Sequence, residues 1–398
     1  MKKRLLHTPE GVRDIYGMEY EKKLKLQADL LDELHLYGYQ DIQTPTFEYF
    51  DIFSSRIGTI PSKELYKFFD KEGNTLVLRP DFTPSIARAA AKYFMEEKHP
   101  IRFCYMGNTF INASDFQGRL KETTQIGAEL INDGSIEADA EMISLVIACM
   151  KQAGLHDFQV SIGNVEFFKG LCVEYGINED AEAELRELIS NKNYFGAQEI
   201  LDSMELTEEV KETILKITEM FGSLEKIQEA KQFVANPRSQ LAIERLEAIY
   251  SLLEEEGAAD YVTFDLGMLS KYHYYTGVIF RAYTYGSGDA VMKGGRYDNL
   301  LNEFGKNAEA IGFAVVVDQL LSALSRQGIQ IKTDEDIYLL LYKSADREKA
   351  YQLAGNYRTE GKKTILMHMK AHEQLSDYEE YAAANRFKCV TNIGKYEG

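Results

Sequence analysis

Two carboxylates, a hydroxyl, an amide and a run of tyrosines are spaced in this chain so that they could hold a small cationic or aromatic molecule. Leu78-Arg79-Pro80-Asp81-Phe82-Thr83 places Asp81 and Thr83 just after a strand-like run, at the start of a helix predicted over 84–93. A carboxylate and a hydroxyl there could bind an ammonium group, although capping the helix is the simpler job for both. In Thr124-Gln125-Ile126-Gly127-Ala128-Glu129, strand alternation puts Gln125, Gly127 and Glu129 on one face. Gln125 and Glu129 side by side make the polar floor of a pocket, or else one face of a solvated sheet. Tyr272-His273-Tyr274-Tyr275-Thr276-Gly277 and Lys293-Gly294-Gly295-Arg296-Tyr297-Asp298 add aromatic rings and paired glycines, which permit a tight bend or close backbone approach to a ligand. His273 has no nucleophile or metal partner at a recognisable spacing and reads as structural. These residues suit binding, and none is assigned a catalytic role.

Such residues need a sheet to position them, and the chain supplies one in pieces. Residues 1–177 alternate helices with strand-like runs at 75–78, 101–110 and 123–131. From 178 to 256 the texture becomes Glu-rich helix, in which Leu246, Ile249, Tyr250 and Leu253 take the spacing of one buried helical face. Strands resume at 261–266, 274–283 and 310–317, so residues 257–330 are expected to complete the earlier sheet, with 178–256 as a helical insertion. A short α/β tail fills 331–398, with strands at 337–342, 364–367 and 387–391 and a helix at 347–357. The fold class is α+β, with antiparallel strands flanked by helices.

Bulk properties narrow the function classes. The chain has 398 residues, 45% apolar and 27% charged, which is ordinary for a folded protein of two or three domains. A net charge of −18 opposes a phosphate backbone, and no concentrated basic patch offsets it. The tail holds ten basic and ten acidic residues between Glu335 and Gly398, which is no nucleic-acid module. Cys104, Cys149, Cys172 and Cys389 lie far apart, without the short pairs of a metal site or the density of a disulfide framework, so reduced structural thiols and no metal or cofactor are expected. The N-terminus lacks the apolar core of a signal peptide, and no stretch approaches the roughly 20 apolar residues of a membrane span. A cytoplasmic location is expected.

Taken in order, Gly11-Val12-Arg13-Asp14, Gly38-Tyr39-Gln40-Asp41-Ile42-Gln43-Thr44-Pro45, the three motifs above and Ile311-Gly312-Phe313-Ala314 resemble the catalytic domain of histidyl-tRNA synthetase over about residues 8–326. The resemblance implies a class II aminoacyl-tRNA synthetase-like sheet with a helical insertion and a small C-terminal α/β domain. It also implies that histidine is held by Asp81, Thr83, Gln125, Glu129, Tyr274, Tyr275 and Tyr297, with Asp81 in place of the family's longer Glu.

The nucleotide half departs from that pattern. Synthetases of this class use arginines to neutralise ATP phosphates. Here the expected arginines are Ile111, Ser270 and Gln319, with Asn112-Ala113-Ser114-Asp115 after the first and Lys271 beside the second, which leaves Arg119 in the hairpin loop as a residual phosphate contact. Losing one preorganised electrostatic contact costs about 100- to 1,000-fold in rate, so three losses should silence adenylate formation. A chain that keeps the amino-acid pocket and loses activation resembles the regulatory subunit of the short-form ATP phosphoribosyltransferase, as does Asp81-Phe82-Thr83-Pro84. That resemblance implies a non-catalytic partner of the catalytic subunit in a hetero-octamer of four plus four chains, passing on feedback inhibition by free histidine, and neither tRNA nor membrane binding. Class II analogy at Thr44-Pro45 adds a homodimer. The alternatives are a divergent active ligase, which would use Arg119, Arg296 and Lys271 on phosphate, and a synthetase-like scaffold that binds another protein and no small molecule.

Overall fold

The computed structural model describes residues 6–53, 60–112, 120–217, 219–270, 274–333, 337–370, 372–387 and 389–393. Helix α1 (Gly17–Leu36) places Leu26, Leu30 and Leu34 four residues apart, hence on one face, and buries all three. After it come β1 (Gln40–Asp41), β2 (Phe47–Tyr49), β3 (Lys67–Phe69) and β4 (Thr75–Leu78), then α2 (Thr83–Tyr93). Strands β5 (Ile101–Phe110) and β6 (Glu122–Ile131) pair antiparallel, from Ile101 opposite Ile131 to Phe110 opposite Glu122. Helix α3 (Ile136–Gln152) is capped by Ser135, whose hydroxyl accepts the Ala138 N–H. Strand β7 (Phe158–Asn164) follows it.

A helical stretch comes next: α4 (Val165–Glu174), α5 (Glu179–Ser190), α6 (Tyr194–Asp202), α7 (Glu208–Ile217), the short β8 (Phe221–Gly222), α8 (Leu224–Lys231) and α9 (Pro237–Glu255). Helix α9 begins with an Asn236 cap and Pro237 at its first position, where the missing N–H costs nothing. It buries Leu246, Ile249 and Leu253, while Tyr250 is half-buried. Strands β9 (Val262–Asp265), β10 (Val278–Thr284), β11 (Met292–Arg296) and β12 (Ala310–Val316) then return to the sheet before α10 (Val317–Arg326).

Strands from both sides of the helical stretch interleave in one nine-stranded sheet, in the order β1-β5-β6-β12-β11-β10-β7-β9-β8. Its pairings are antiparallel except β1 with β5 and β7 with β9. One face packs Ile126, Ala128, Leu130, Ile311 and Phe313 against apolar residues of α1, α3, α9 and α10. The other face carries a smaller core of Phe82, Ile86, Phe103, Tyr105, Tyr275, Tyr297 and Leu300. A separate antiparallel sheet, β2-β4-β3, stands over Phe53, Leu65 and Val77.

Residues 1–331 and 332–398 are separate compact units. In the second, β13 (Ile337–Tyr342) runs parallel between β14 (Lys363–His368) and β15 (Cys389–Asn392), with α11 (Arg347–Thr359) and α12 (Leu375–Ala384) as the connecting helices. Leu339 and Leu341 pack with Tyr378 and Ala382, while Leu340 packs with Ala350 and Ala354, so the central strand is buried on both faces and reads as an unbroken apolar run. No helix among the described residues is long and apolar enough to cross a membrane.

Candidate functional site

The second face of the large sheet gathers most of the chemistry-bearing residues around one carboxylate. Strand alternation turns Ile126, Ala128 and Leu130 into the main core, which leaves Gln125, Gly127 and Glu129 on the opposite side. Glu129 is only 1% exposed. Its Oε1 accepts a hydrogen bond from the Thr83 hydroxyl at 2.8 Å, and its Oε2 accepts one from the Tyr297 hydroxyl at 2.5 Å. Gly312, facing Glu129 across the β6–β12 pair, makes this placement sterically possible, since a β-carbon there would lie 1.6 Å from Oε2.

Thr83 therefore does not cap α2. The Thr83 hydroxyl reaches to β6 instead, while Asp81 Oδ1 accepts the N–H of Thr83, the first residue of α2, at 3.3 Å. The approach of α2 is fixed by Arg79. Its guanidinium donates to the carbonyls of Asn108, Thr44 and Pro45 and lies 4.0 Å over the Phe82 ring, which stacks on Tyr105 at 4.4 Å.

The tyrosines close the cluster. The Tyr274 ring lies 4.7 Å from Tyr275 and 5.9 Å, edge-on, from Tyr297. Strand β10 begins only at Val278, so Tyr274 and Tyr275 sit in the preceding loop, not in a strand opening at 274. The paired glycines serve the protein's own rings: a β-carbon on Gly295 would meet Tyr275 at 2.7 Å, and one on Gly294 would meet Phe280 at 2.5 Å. Gln125 shares the face of Glu129, four residues along β6, and its side-chain oxygen is buried with no hydrogen-bond partner among the described residues.

Burial dominates the electrostatics. It pushes the Glu129 carboxyl up to about 8, with the charge of Asp81 adding to the rise and the Tyr297 and Thr83 hydrogen bonds opposing it. Asp81 is raised by burial too, against hydrogen bonds centred on Thr83. The hydroxyls of Tyr105 and Tyr297 are driven well above the ordinary phenol range, first by burial and then by Glu129, so both remain donors. The site is a buried, acid-centred cluster that would gain from a cation carrying several N–H groups.

The positions where arginines were expected offer no phosphate clamp. Ile111 stays apolar, Ser270 is buried, and Gln319 Oε1 is buried without a partner among the described residues. Asp318 pairs with Lys23 at 2.7 Å and accepts the Thr124 N–H. Arg296 points to the other face from its neighbour Tyr297, where it donates to Asp139 at 2.7–2.8 Å. That rules it out as a phosphate ligand in this pocket. Arg119, Lys271 and His273 lie outside the described residues. Tyr105 and Arg79 were missed as members of the site, although the register of Tyr105 opposite Gly127 follows from the same alternation that singled out Glu129.

Comparison with known proteins identifies the family. The family model for histidyl-tRNA synthetase matches residues 11–320. An ATP phosphoribosyltransferase regulatory subunit from Ruminiclostridium cellulolyticum is 40% identical over 98% of this chain and 92% of its own, and one from Acetivibrio thermocellus is 38% identical over 89% of this chain and 85% of its own. A crystal structure from Bacillus halodurans, described as an ATP phosphoribosyltransferase regulatory subunit/histidyl-tRNA synthetase, superposes with a TM-score of 0.87 at 33% identity, covering 98% of each chain. A histidyl-tRNA synthetase from Nostoc shares the fold at a TM-score of 0.81 and 20% identity, over 97% of this chain and 91% of its own. The chain belongs to the histidyl-tRNA synthetase family, within its branch of ATP phosphoribosyltransferase regulatory subunits.

Proposed function

We propose that this chain is the non-catalytic regulatory subunit of an ATP phosphoribosyltransferase, sustaining the activity of the catalytic subunit and carrying feedback inhibition by histidine in the first step of histidine biosynthesis. One asymmetry supports the reading: the Thr83–Glu129–Tyr297 cluster is intact, while Ile111, Ser270 and Gln319 stand where phosphate-binding arginines would be needed. Asp81, Thr83 and Gln125 would hold the ammonium of histidine, and Glu129 with Tyr274, Tyr275 and Tyr297 would orient its imidazole. A coupling of about 1–3 kcal/mol between this pocket and the catalytic chain is enough for useful regulation.

The assembly we infer is a hetero-octamer of four plus four chains in which this subunit pairs with itself. Support for pairing comes from the small sheet: Phe47, Tyr49 and Phe68 share one face with Leu76 and Leu78, and all three aromatics are exposed. The test is co-purification with the catalytic subunit, followed by assays with and without histidine. The expected outcome is activation of the catalytic subunit, inhibition by histidine, and no histidine-dependent pyrophosphate exchange into ATP. Exchange at synthetase rates, or no effect on the catalytic subunit, would overturn the proposal.

A further inference from the structure

On the opposite face of the sheet from Glu129, three different kinds of ligand atom converge from three elements. Strands β1 and β5 run parallel with Asp41 opposite Cys104, which sets the carboxylate beside the thiol. Cys104 is fully buried in the core shared with Leu30 and Leu34 of α1. Helix α1 then ends in a tight turn, with Gly38 N–H donating to the His35 carbonyl at 2.9 Å and Tyr39 N–H to that of Leu34 at 3.2 Å. The turn brings the chain back along β1 and sets the His35 ring against Asp41. His35 Nε2 lies 3.1 Å from Asp41 Oδ2, Cys104 Sγ lies 3.5 Å from Asp41 Oδ1, and the three donor atoms all fall within 4.8 Å of one another.

The Cys104 thiol donates to Asp41 Oδ1 while His35 Nε2 meets Oδ2, so one exposed carboxylate brings a sulfur and a nitrogen ligand together. Around a tetrahedral ion with metal–ligand bonds of about 2.0–2.3 Å, adjacent donor atoms stand roughly 3.3–3.6 Å apart. The contacts of His35 and Cys104 with the two oxygens of Asp41, at 3.1 and 3.5 Å, fall near that range, and all three donor atoms lie within 4.8 Å of one another. We propose that His35, Asp41 and Cys104 form a binding site for a divalent transition-metal ion of the zinc class, with water in the fourth position on the exposed His35–Asp41 side. Imidazole nitrogen and thiolate sulfur beside one carboxylate favour such an ion over magnesium or calcium, which take oxygen ligands. On binding, the Cys104 thiol proton is released to solvent, and the thiolate and the carboxylate balance the two positive charges. The ion clips the end of α1 to the sheet edge. The residue after Cys104 is Tyr105, which packs on the Glu129 side, so the clip lies directly behind the pocket.

The full-length protein titrated with cobalt(II) provides the test. The expected result is a thiolate-to-cobalt charge-transfer band with tetrahedral ligand-field bands, saturating at one equivalent and displaced by zinc. Cys104→Ser should abolish the band, Cys149→Ser and Cys172→Ser should leave it, and His35→Gln and Asp41→Asn should each weaken affinity at least tenfold. His35 and Asp41 are exposed, so their variants carry the test even if Cys104→Ser fails to fold. A wild-type protein with no charge-transfer band, or a band that persists in Cys104→Ser or is indifferent to both exposed ligands, overturns the proposal.

Discussion

A single buried carboxylate sets the character of the pocket. Glu129 ordinarily titrates near 4.5 and is held at about 8 in the folded chain, so the folded protein keeps a proton there that the unfolded chain releases. The sign follows from linkage: this contribution to stability is fully present below about pH 4.5, falls as pH rises, and is gone above about 8. Glu129→Gln does not titrate, so urea midpoints measured from pH 5 to 8.5 should fall less steeply in that variant than in the wild type. The same substitution should weaken histidine binding more than a hundredfold by calorimetry, because an amide cannot give up a proton and so cannot become the anion that a cationic ligand draws out of the buried carboxyl. An equal pH slope in variant and wild type would remove Glu129 from this role. Sequence reading found Glu129 through strand alternation, but it could not show that Thr83 would abandon the helix cap to reach the carboxylate, since 46 residues separate them. Nor could alternation alone choose between a solvated face and a buried one.

Elements hold these residues through contacts that local pattern does not announce. Arg296 reads like a ligand-facing residue in Gly294-Gly295-Arg296-Tyr297-Asp298, yet it is 3% exposed and donates to Asp139 of α3, which also accepts from Arg245 of α9 at 2.6 Å. The three side chains tie a sheet strand, a core helix and the last helix of the helical stretch together. Removing the shared anion leaves a buried guanidinium with, among the described residues, Asp298 and the carbonyls of Asp133 and Ser135 as its remaining acceptors. Asp139→Asn should therefore cost about 3–5 kcal/mol in urea unfolding. A loss below about 1 kcal/mol would mean that the carbonyls suffice. The helical periodicity of Leu246, Ile249 and Leu253 was legible because core-facing spacing is a local property. The start of β10 was not, because Tyr274 and Tyr275 carry strand-favouring side chains but spend them on ring contacts in a loop.

At the scale of the whole molecule, charge and exposed rings bear on which partners the surface suits. The segment 178–256 contains 19 acidic and 8 basic residues, so it supplies over half of the net −18 and makes that surface a poor match for nucleic acid. The exposed aromatic face of the small sheet is the reverse case, an apolar surface that the proposed self-pairing would cover. Phe47→Asp combined with Tyr49→Asp should convert a dimer to a monomer in light-scattering measurements while leaving the helical signal unchanged, and a persisting dimer would place the interface elsewhere. The sequence by itself determined the α+β class, the order of the elements and the retained histidine-type motif with its missing arginines, because periodicity, turn chemistry and motif order are written in neighbouring residues. Only the tertiary structure decided that Glu129 is buried and its carboxyl raised, that Arg296 faces away from it and that His35, Asp41 and Cys104 meet. Burial and through-space contact depend on which strands pair across the sheet, and residues as far apart as Glu129 and Tyr297 acquire a shared environment only once the chain has closed.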